Sequence, residues 1–487
     1  MIYDFKNLDD KDNFKTKNLD IIYDYILIGS GPASYVLSDN LNKKNKRILI
    51  IEKGSLNVSN KIKKKEKISL ISSDNYNIKK NSRISALGGT GNVWAGVSSY
   101  IEDFEMFSRW GKFKKLWPIS HQEIINNYKK LDAKYGFKNL DLLKNSKKTD
   151  RDNKVIRSRI FFAPSRPFKF NDSKHYKNCD LLINAKVNYL NEYKKVPYIE
   201  LEDNITKIFS KKIIVCCGGL ETNFLMLKSI NNKRLKNAKN KHILGKYFMD
   251  HPKFQLGLAK IHPENLNFFR KIILKKKNNG FCYKGISLSK KIQTEKKLLN
   301  SYARFEKYLL IELIKKIKKN MFDFSNYVRI LKLLYLEYFN KINYDEKYKI
   351  TIYNEMIPRI NNKITYKKIK NKDKFFISYK FSKIEFETIH YLINTLIKKL
   401  GLKLQKNFKR SKKFIEKSLQ DSSHHMGGTI MGKSKKNSFV NQNLQIHGVK
   451  NIYICSTSVF PTSGSLNPTM TLCALAVRLA NYLNKNN

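Results

Sequence analysis

Between residues 23 and 52 the chain reads as strand, glycine turn, helix, strand, an order that points to a parallel βαβ unit. Residues 23–28 are apolar and run into Gly29-Ser30-Gly31-Pro32-Ala33-Ser34; Tyr35–Asn42 opens a helix and Arg47–Glu52 is a second apolar strand. Gly29 and Gly31 permit the tight turn and let backbone amides approach a pyrophosphate at the helix N-terminus, where the dipole favours negative charge. Ser34 replaces the third glycine of a dinucleotide fingerprint and is small enough for helix–strand packing. Glu52 lies 21 positions after Gly31, at the end of the second strand. A carboxylate there can accept both hydrogen bonds of an adenosine ribose diol. A dinucleotide site is predicted, and the unit alone leaves FAD and NAD undecided.

At 487 residues the chain exceeds what one core normally organises, so two domains are expected. Asp4, Asp9, Asp10 and Asp12 crowd the start where a secretory leader would be basic and then apolar, so a cytoplasmic protein is expected. The six cysteines (Cys179, Cys216, Cys217, Cys282, Cys455, Cys473) show no metal-ligand spacing, and no metal centre is read. A net charge of +56 invites a nucleic-acid reading, yet only fourteen of the 96 basic residues are arginine and the lysines run along the whole chain. Phosphate and base recognition favours clustered arginine. Nucleic acid is therefore not expected, compositional drift toward Lys, Asn and Ile is the leading account, and a weak contact with an anionic membrane surface stays open.

A second signature stands near the end: Ser422-Ser423-His424-His425-Met426-Gly427-Gly428-Thr429, followed by Gly464-Ser465-Leu466-Asn467-Pro468-Thr469-Met470-Thr471. Removing hydride from an alcohol carbon needs an acceptor for the hydroxyl proton, and histidine suits that task near neutral pH. A second polar side chain can hold the oxygen and fix the geometry. Together the two signatures resemble the glucose–methanol–choline (GMC) family of flavin-dependent alcohol oxidoreductases. Leu87-Gly88-Gly89-Thr90-Gly91-Asn92-Val93-Trp94 is similar to that family's Gly-Gly-x-Ser motif. Trp117-Pro118-Ile119, Cys217-Gly218-Gly219, Leu244–Pro252 and Glu355–Ile364 are similar to further family segments. The resemblance covers 23–135, 176–255 and 350–487, and residues 256–345 match nothing.

The resemblance implies FAD held by Gly29, Gly31, Pro32, Ala33, Glu52, Gly88, Gly89, Thr90, Asn92, Val187, Cys217, Gly218, Ser458, Val459, Asn467, Pro468 and Thr469. It implies His425, in the His-x-x-Gly-Thr position, as base, with Asn467 opposite it and His424 turned away, since adjacent extended residues face opposite ways. His251 is expected in a packing or hydrogen-bonding role. Val93 stands where some family members carry a flavin-linking histidine, so FAD should be non-covalent. The expected fold is α/β: a Rossmann-like FAD domain from discontinuous segments (20–115, 176–252 and 421–487) and a substrate domain (116–175 and 253–420) with a mostly antiparallel sheet and helices. Residues 256–345 are expected to form much of the pocket wall. The implied reaction is oxidation of an alcohol, sugar or polyol, delivered to an unidentified electron acceptor. Two alternatives are carried: a basic flavoprotein fold without catalysis that binds nucleic acid or an anionic membrane, and a flavoenzyme acting on a non-alcohol substrate.

Overall fold

The structure is a computed structural model; it describes the chain apart from residues 19, 42–45, 59–69, 73–75, 77, 80–81, 111–113, 136–154, 165, 268, 270–273, 278–279, 322–323, 339–345, 405–410 and 487. Much of the lysine-rich runs at 61–82 and 406–417 lies outside the described residues. The βαβ unit forms as expected, with strands Tyr23–Ile28 and Ile48–Ile51 around helix Pro32–Leu41. Tyr23–Ile28 pairs in parallel with Ile48–Ile51 on one side and with Lys207–Val215 on the other. All four residues of Ile48–Ile51 are buried, the unbroken apolar run that a strand covered on both faces requires. Asp180–Ile183 extends this sheet, Ile2–Asp4 closes that edge, and Ile452–Ile454 joins Lys207–Val215 in parallel. Residues from near the end of the chain therefore sit two strands from the first glycine turn. The last helix, Thr469–Lys485, packs on Pro32–Leu41 and on His121–Tyr135.

A second sheet, antiparallel throughout its described pairings, includes Ile156–Pro164, Gly280–Leu288, Tyr302–Lys307, Tyr348–Tyr353 and Lys253–Lys260. Helices Tyr308–Lys319 and Phe324–Tyr338 follow the strand Tyr302–Lys307. Helix Lys383–Leu400 is opened by a Ser382/Glu385 capping box and closed by Gly401 at φ 58°. Lys363–Ile369 and Lys372–Ser378 form a hairpin paired to Leu70–Ser72.

Buried charge ties the antiparallel sheet to the segments around Glu105 and Ser465. Glu105 is fully buried and accepts from Arg159 of the antiparallel sheet (2.8 Å) and from the Asn300 amide (2.8 Å). It also takes the backbone N–H and the hydroxyl of Ser465, at 2.8 and 2.9 Å. Glu102 pairs with Arg157 and Arg159, and Arg109 with Glu355. Burial alone would raise the Glu105 pKa; the Arg159 guanidinium outweighs it and holds the carboxyl below its ordinary range. Removing one member of such a cluster strands the others without a partner. Glu105→Ala is expected to lower stability by about 3–5 kcal/mol in chemical denaturation. A loss below about 1 kcal/mol, the size of an exposed pair, would show that the cluster does not hold these segments together.

Candidate active site

The glycine turn is built around its neighbours. Gly29 has φ 90°, and a Cβ there would come 2.9 Å from the Cys216 carbonyl oxygen, so only glycine fits between the strands. A Cβ at Gly31 would meet nothing within 4 Å, because that face of the turn opens into a cavity. Glu52 is buried and accepts from Ser30 N–H (3.1 Å), the Ser30 hydroxyl (2.7 Å) and Gly54 N–H (2.9 Å). Burial raises its pKa, and those donors oppose the rise. Glu52 thus braces the turn while lining the cavity.

The cavity measures about 1280 Å³, beyond the ~300–1,000 Å³ of an ordinary small-ligand cleft and roomy enough for an extended dinucleotide. Gly29, Gly31, Pro32, Ala33, Glu52, Gly89, Thr90, Val187, Cys217, Gly218, His425, Asn467, Pro468 and Thr469 all line it, so both ends of the chain meet in one site. Gly88, Asn92, Ser458 and Val459 stand outside its lining and support the wall. Gly88 N–H donates to Ser30 Oγ (3.2 Å), and the Asn92 amide donates to the Leu87 and Gly89 carbonyls (2.6 and 3.1 Å). Ser458 Oγ lies 2.6 Å from Thr429 Oγ1, and Val459 is fully buried. No described residue of 256–345 lines the cavity. That expectation is corrected: the antiparallel strands end beside the loop carrying Ser465, and the wall comes instead from segments such as 82–97, 184–188, 372–375 and 422–425.

The two adjacent histidines divide sharply, in the opposite sense to the one expected. His424 Nε2 lies 3.4 Å from Asn467 Nδ2, and its Nδ1 lies 3.0 Å from His251 Nδ1. His251 is buried, with Nε2 facing the carbonyl oxygens of Ser463 (3.1 Å) and Gly464 (2.9 Å). His425 turns to Asp421, Nε2 to Oδ1 at 3.1 Å. The two rings do part, but adjacency in sequence cannot say which faces Asn467. Asp421, four residues upstream, decides that by capturing His425. Helix Gly218–Asn231 starts against this segment, where a Cβ on Gly219 would stand 2.1 Å from the His425 carbonyl oxygen.

Residues 397–476 match the family model "GMC oxidoreductase". Over 96% of its length the chain superposes on the crystal structures of formate oxidase (TM-score 0.56, 14% identity, 98% of that chain) and of pyridoxine 4-oxidase from Mesorbium loti (TM-score 0.56, 12% identity, 100% of that chain). Its C-terminal segment therefore matches the GMC oxidoreductases, and the chain as a whole shares the fold of these two oxidases. Over 62 residues it is also 34% identical to the fructose dehydrogenase large subunit of Gluconobacter japonicus, a match spanning 13% of this chain and 11% of that protein.

Electrostatics separate the two histidines further. Burial, and then the facing His251, hold His424 well below the ordinary histidine range, so its ring is neutral. Burial pushes His425 the same way, but the Asp421 carboxylate outweighs it and raises His425 above 6.5. Asp421 is itself held low: the His425 cation and the N–H groups of Lys79 (2.8 Å) and Ser423 (2.6 Å) overcome its burial. Asp250, nearby, accepts from Ser422 N–H (2.9 Å), His424 N–H (2.8 Å) and the Tyr76 hydroxyl. Ligand-type atoms of Asp250, Asp421 and His425 lie within 4.8 Å of one another. The donors already on the carboxylates make the cluster a hydrogen-bonded hub that holds the 421–425 segment in place. Neither Asp421 nor Asp250 carried a sequence signal beyond its place beside a histidine.

The His425–Asp421 pair links stability to pH from both sides. His425, raised above 6.5, contributes stability that is complete below that value and lost as pH climbs through the raised pKa. Asp421, lowered from 3.8, contributes stability that is complete above that value and lost as pH falls through the lowered pKa. The melting temperature is expected to decline as pH rises above neutrality, and Asp421→Asn should abolish that decline while costing about 3–5 kcal/mol. An unchanged slope in Asp421→Asn would refute the pairing.

Proposed function

We propose that this chain is an FAD-dependent oxidoreductase that oxidises a CH–OH group, as in an alcohol, sugar or polyol, with His424 as base and Asn467 as the orienting group. The observation that carries the assignment is the approach of His424 Nε2 to Asn467 inside the dinucleotide cavity. Bound FAD would supply the hydride acceptor. The glycine turn at 29–31, Glu52 and the start of helix Thr469–Lys485 would hold it, and their open backbone faces fit a pyrophosphate. The named relatives fructose dehydrogenase and pyridoxine 4-oxidase support a hydroxyl-bearing substrate for this chain.

Hydrogen-bond bookkeeping explains why His424 can take a proton. His251 Nε2 faces only carbonyl oxygens, which accept, so that nitrogen carries the hydrogen. With its one hydrogen on Nε2, His251 offers a bare Nδ1 across the 3.0 Å contact, and His424 Nδ1 is the donor. His424 Nε2 is left bare, aimed at Asn467 and the cavity. His251 thereby sets the tautomer of the base. His425 is engaged through Nε2 by Asp421, which raises its pKa above the ordinary histidine value.

His424→Ala is expected to slow flavin reduction by ~10²–10⁴-fold, the usual size of a general-base contribution. Asn467→Ala should slow it less, and His425→Ala should act mainly on stability. Stopped-flow absorbance on flavin-loaded variants, with a panel of alcohols under air and under nitrogen, measures these effects and separates dioxygen from other electron acceptors. Normal reduction in His424→Ala would overturn the assignment.

Val93 lines the cavity and is 51% exposed, at the position where the family's linking histidine would stand. Valine offers no nucleophile, so FAD is expected to leave the chain on acid precipitation. Flavin fluorescence remaining on the denatured band would refute non-covalent binding.

A further inference from the structure

The segment 256–345, without counterpart in the resemblance and contributing no described residue to the cavity wall, carries an exposed apolar surface. Helices Tyr308–Lys319 and Phe324–Tyr338 pack on each other. On the second, Phe324, Tyr327, Val328, Leu331 and Leu334 recur at helical spacing on one arc, and they are 77%, 37%, 65%, 64% and 49% exposed. Ile330 and Leu333, on the other side, are only partly exposed. A soluble helix turns such an arc inward; here it faces solvent, together with Met321 between the helices and Ile314 on the first. Contiguous exposed apolar surface of this kind marks an interaction site.

Charge selects the partner. Arg329 and Lys332 flank the apolar arc, and Lys315, Lys316, Lys318 and Lys319 crowd the end of the first helix, all exposed. A second copy of this chain would bring another net charge of +56 to the same face, whereas an anionic surface complements it. No helix among the described residues is long and apolar enough to cross a membrane. Apolar side chains bordered by lysines are the pattern of a helix lying in the plane of the lipid interface.

We propose that this helix pair seats the protein on the surface of an anionic lipid bilayer, with Phe324, Val328 and Leu331 entering the headgroup–acyl boundary and the flanking lysines meeting lipid phosphates. The proposal is independent of the assignment of His424.

The test is flotation of the flavin-loaded full chain with phosphatidylcholine vesicles, with and without phosphatidylglycerol, at low and high salt. Binding is expected on the phosphatidylglycerol vesicles and should weaken with salt. Val328→Ser combined with Leu331→Ser should weaken it at least tenfold, on the order of two buried aliphatic side chains, while flavin absorbance and reduction rate stay unchanged. Three outcomes would each overturn the proposal. Undiminished binding of the double variant would mean diffuse attraction of a cationic protein. Equal binding to neutral vesicles would remove the role of charge. Failure to float, with light scattering showing a dimer that the double variant loses, would assign the face to a second copy.

Discussion

The carboxylate of Glu105 is the interaction on which the arrangement of the site depends. It is wholly buried, and its donors come from four places: Arg159 on the antiparallel sheet, the Asn300 side chain, the Glu102 backbone N–H, and the backbone and hydroxyl of Ser465. Ser465 lies two residues before Asn467, so the same carboxylate that anchors the antiparallel sheet also locates the cavity's polar wall. A buried ion is tolerated only when its hydrogen-bonding capacity is filled, which makes the cluster unforgiving of small shifts. Glu102 and Glu355, each with its own arginine, extend that constraint along the seam.

A smaller version of the same logic operates on the histidines. Two identical side chains, adjacent in sequence, acquire opposite pKa shifts because one ring faces a carboxylate and the other faces a second imidazole. Burial pushes both toward neutrality, and the single charge of Asp421 reverses the direction for His425 alone. Both rings line the cavity, and the one held neutral is the one that meets Asn467. The carbonyls of Ser463 and Gly464 complete the arrangement by dictating the tautomer of His251.

What the sequence determined by itself is the local chemistry of the turn and the presence of the site. Strand periodicity, the pair Gly29 and Gly31, and Glu52 at the proper distance specify a βαβ nucleotide unit, because each is a requirement on backbone conformation or on one local contact. Asn467-Pro468 before the last helix, and a histidine pair upstream, were legible for the same reason. Only the tertiary structure decided which histidine faces Asn467, because Asp421, Asp250 and His251 act through space and adjacency in sequence leaves the choice of face open. Only the tertiary structure could also remove the described residues of 256–345 from the cavity wall, since a helix's apolar stripe reads the same whether it is turned to the core or to solvent. Pairings across some hundreds of residues, such as Glu105 with Ser465, leave no periodic trace in the chain, and it is these buried charge contacts that assemble the site.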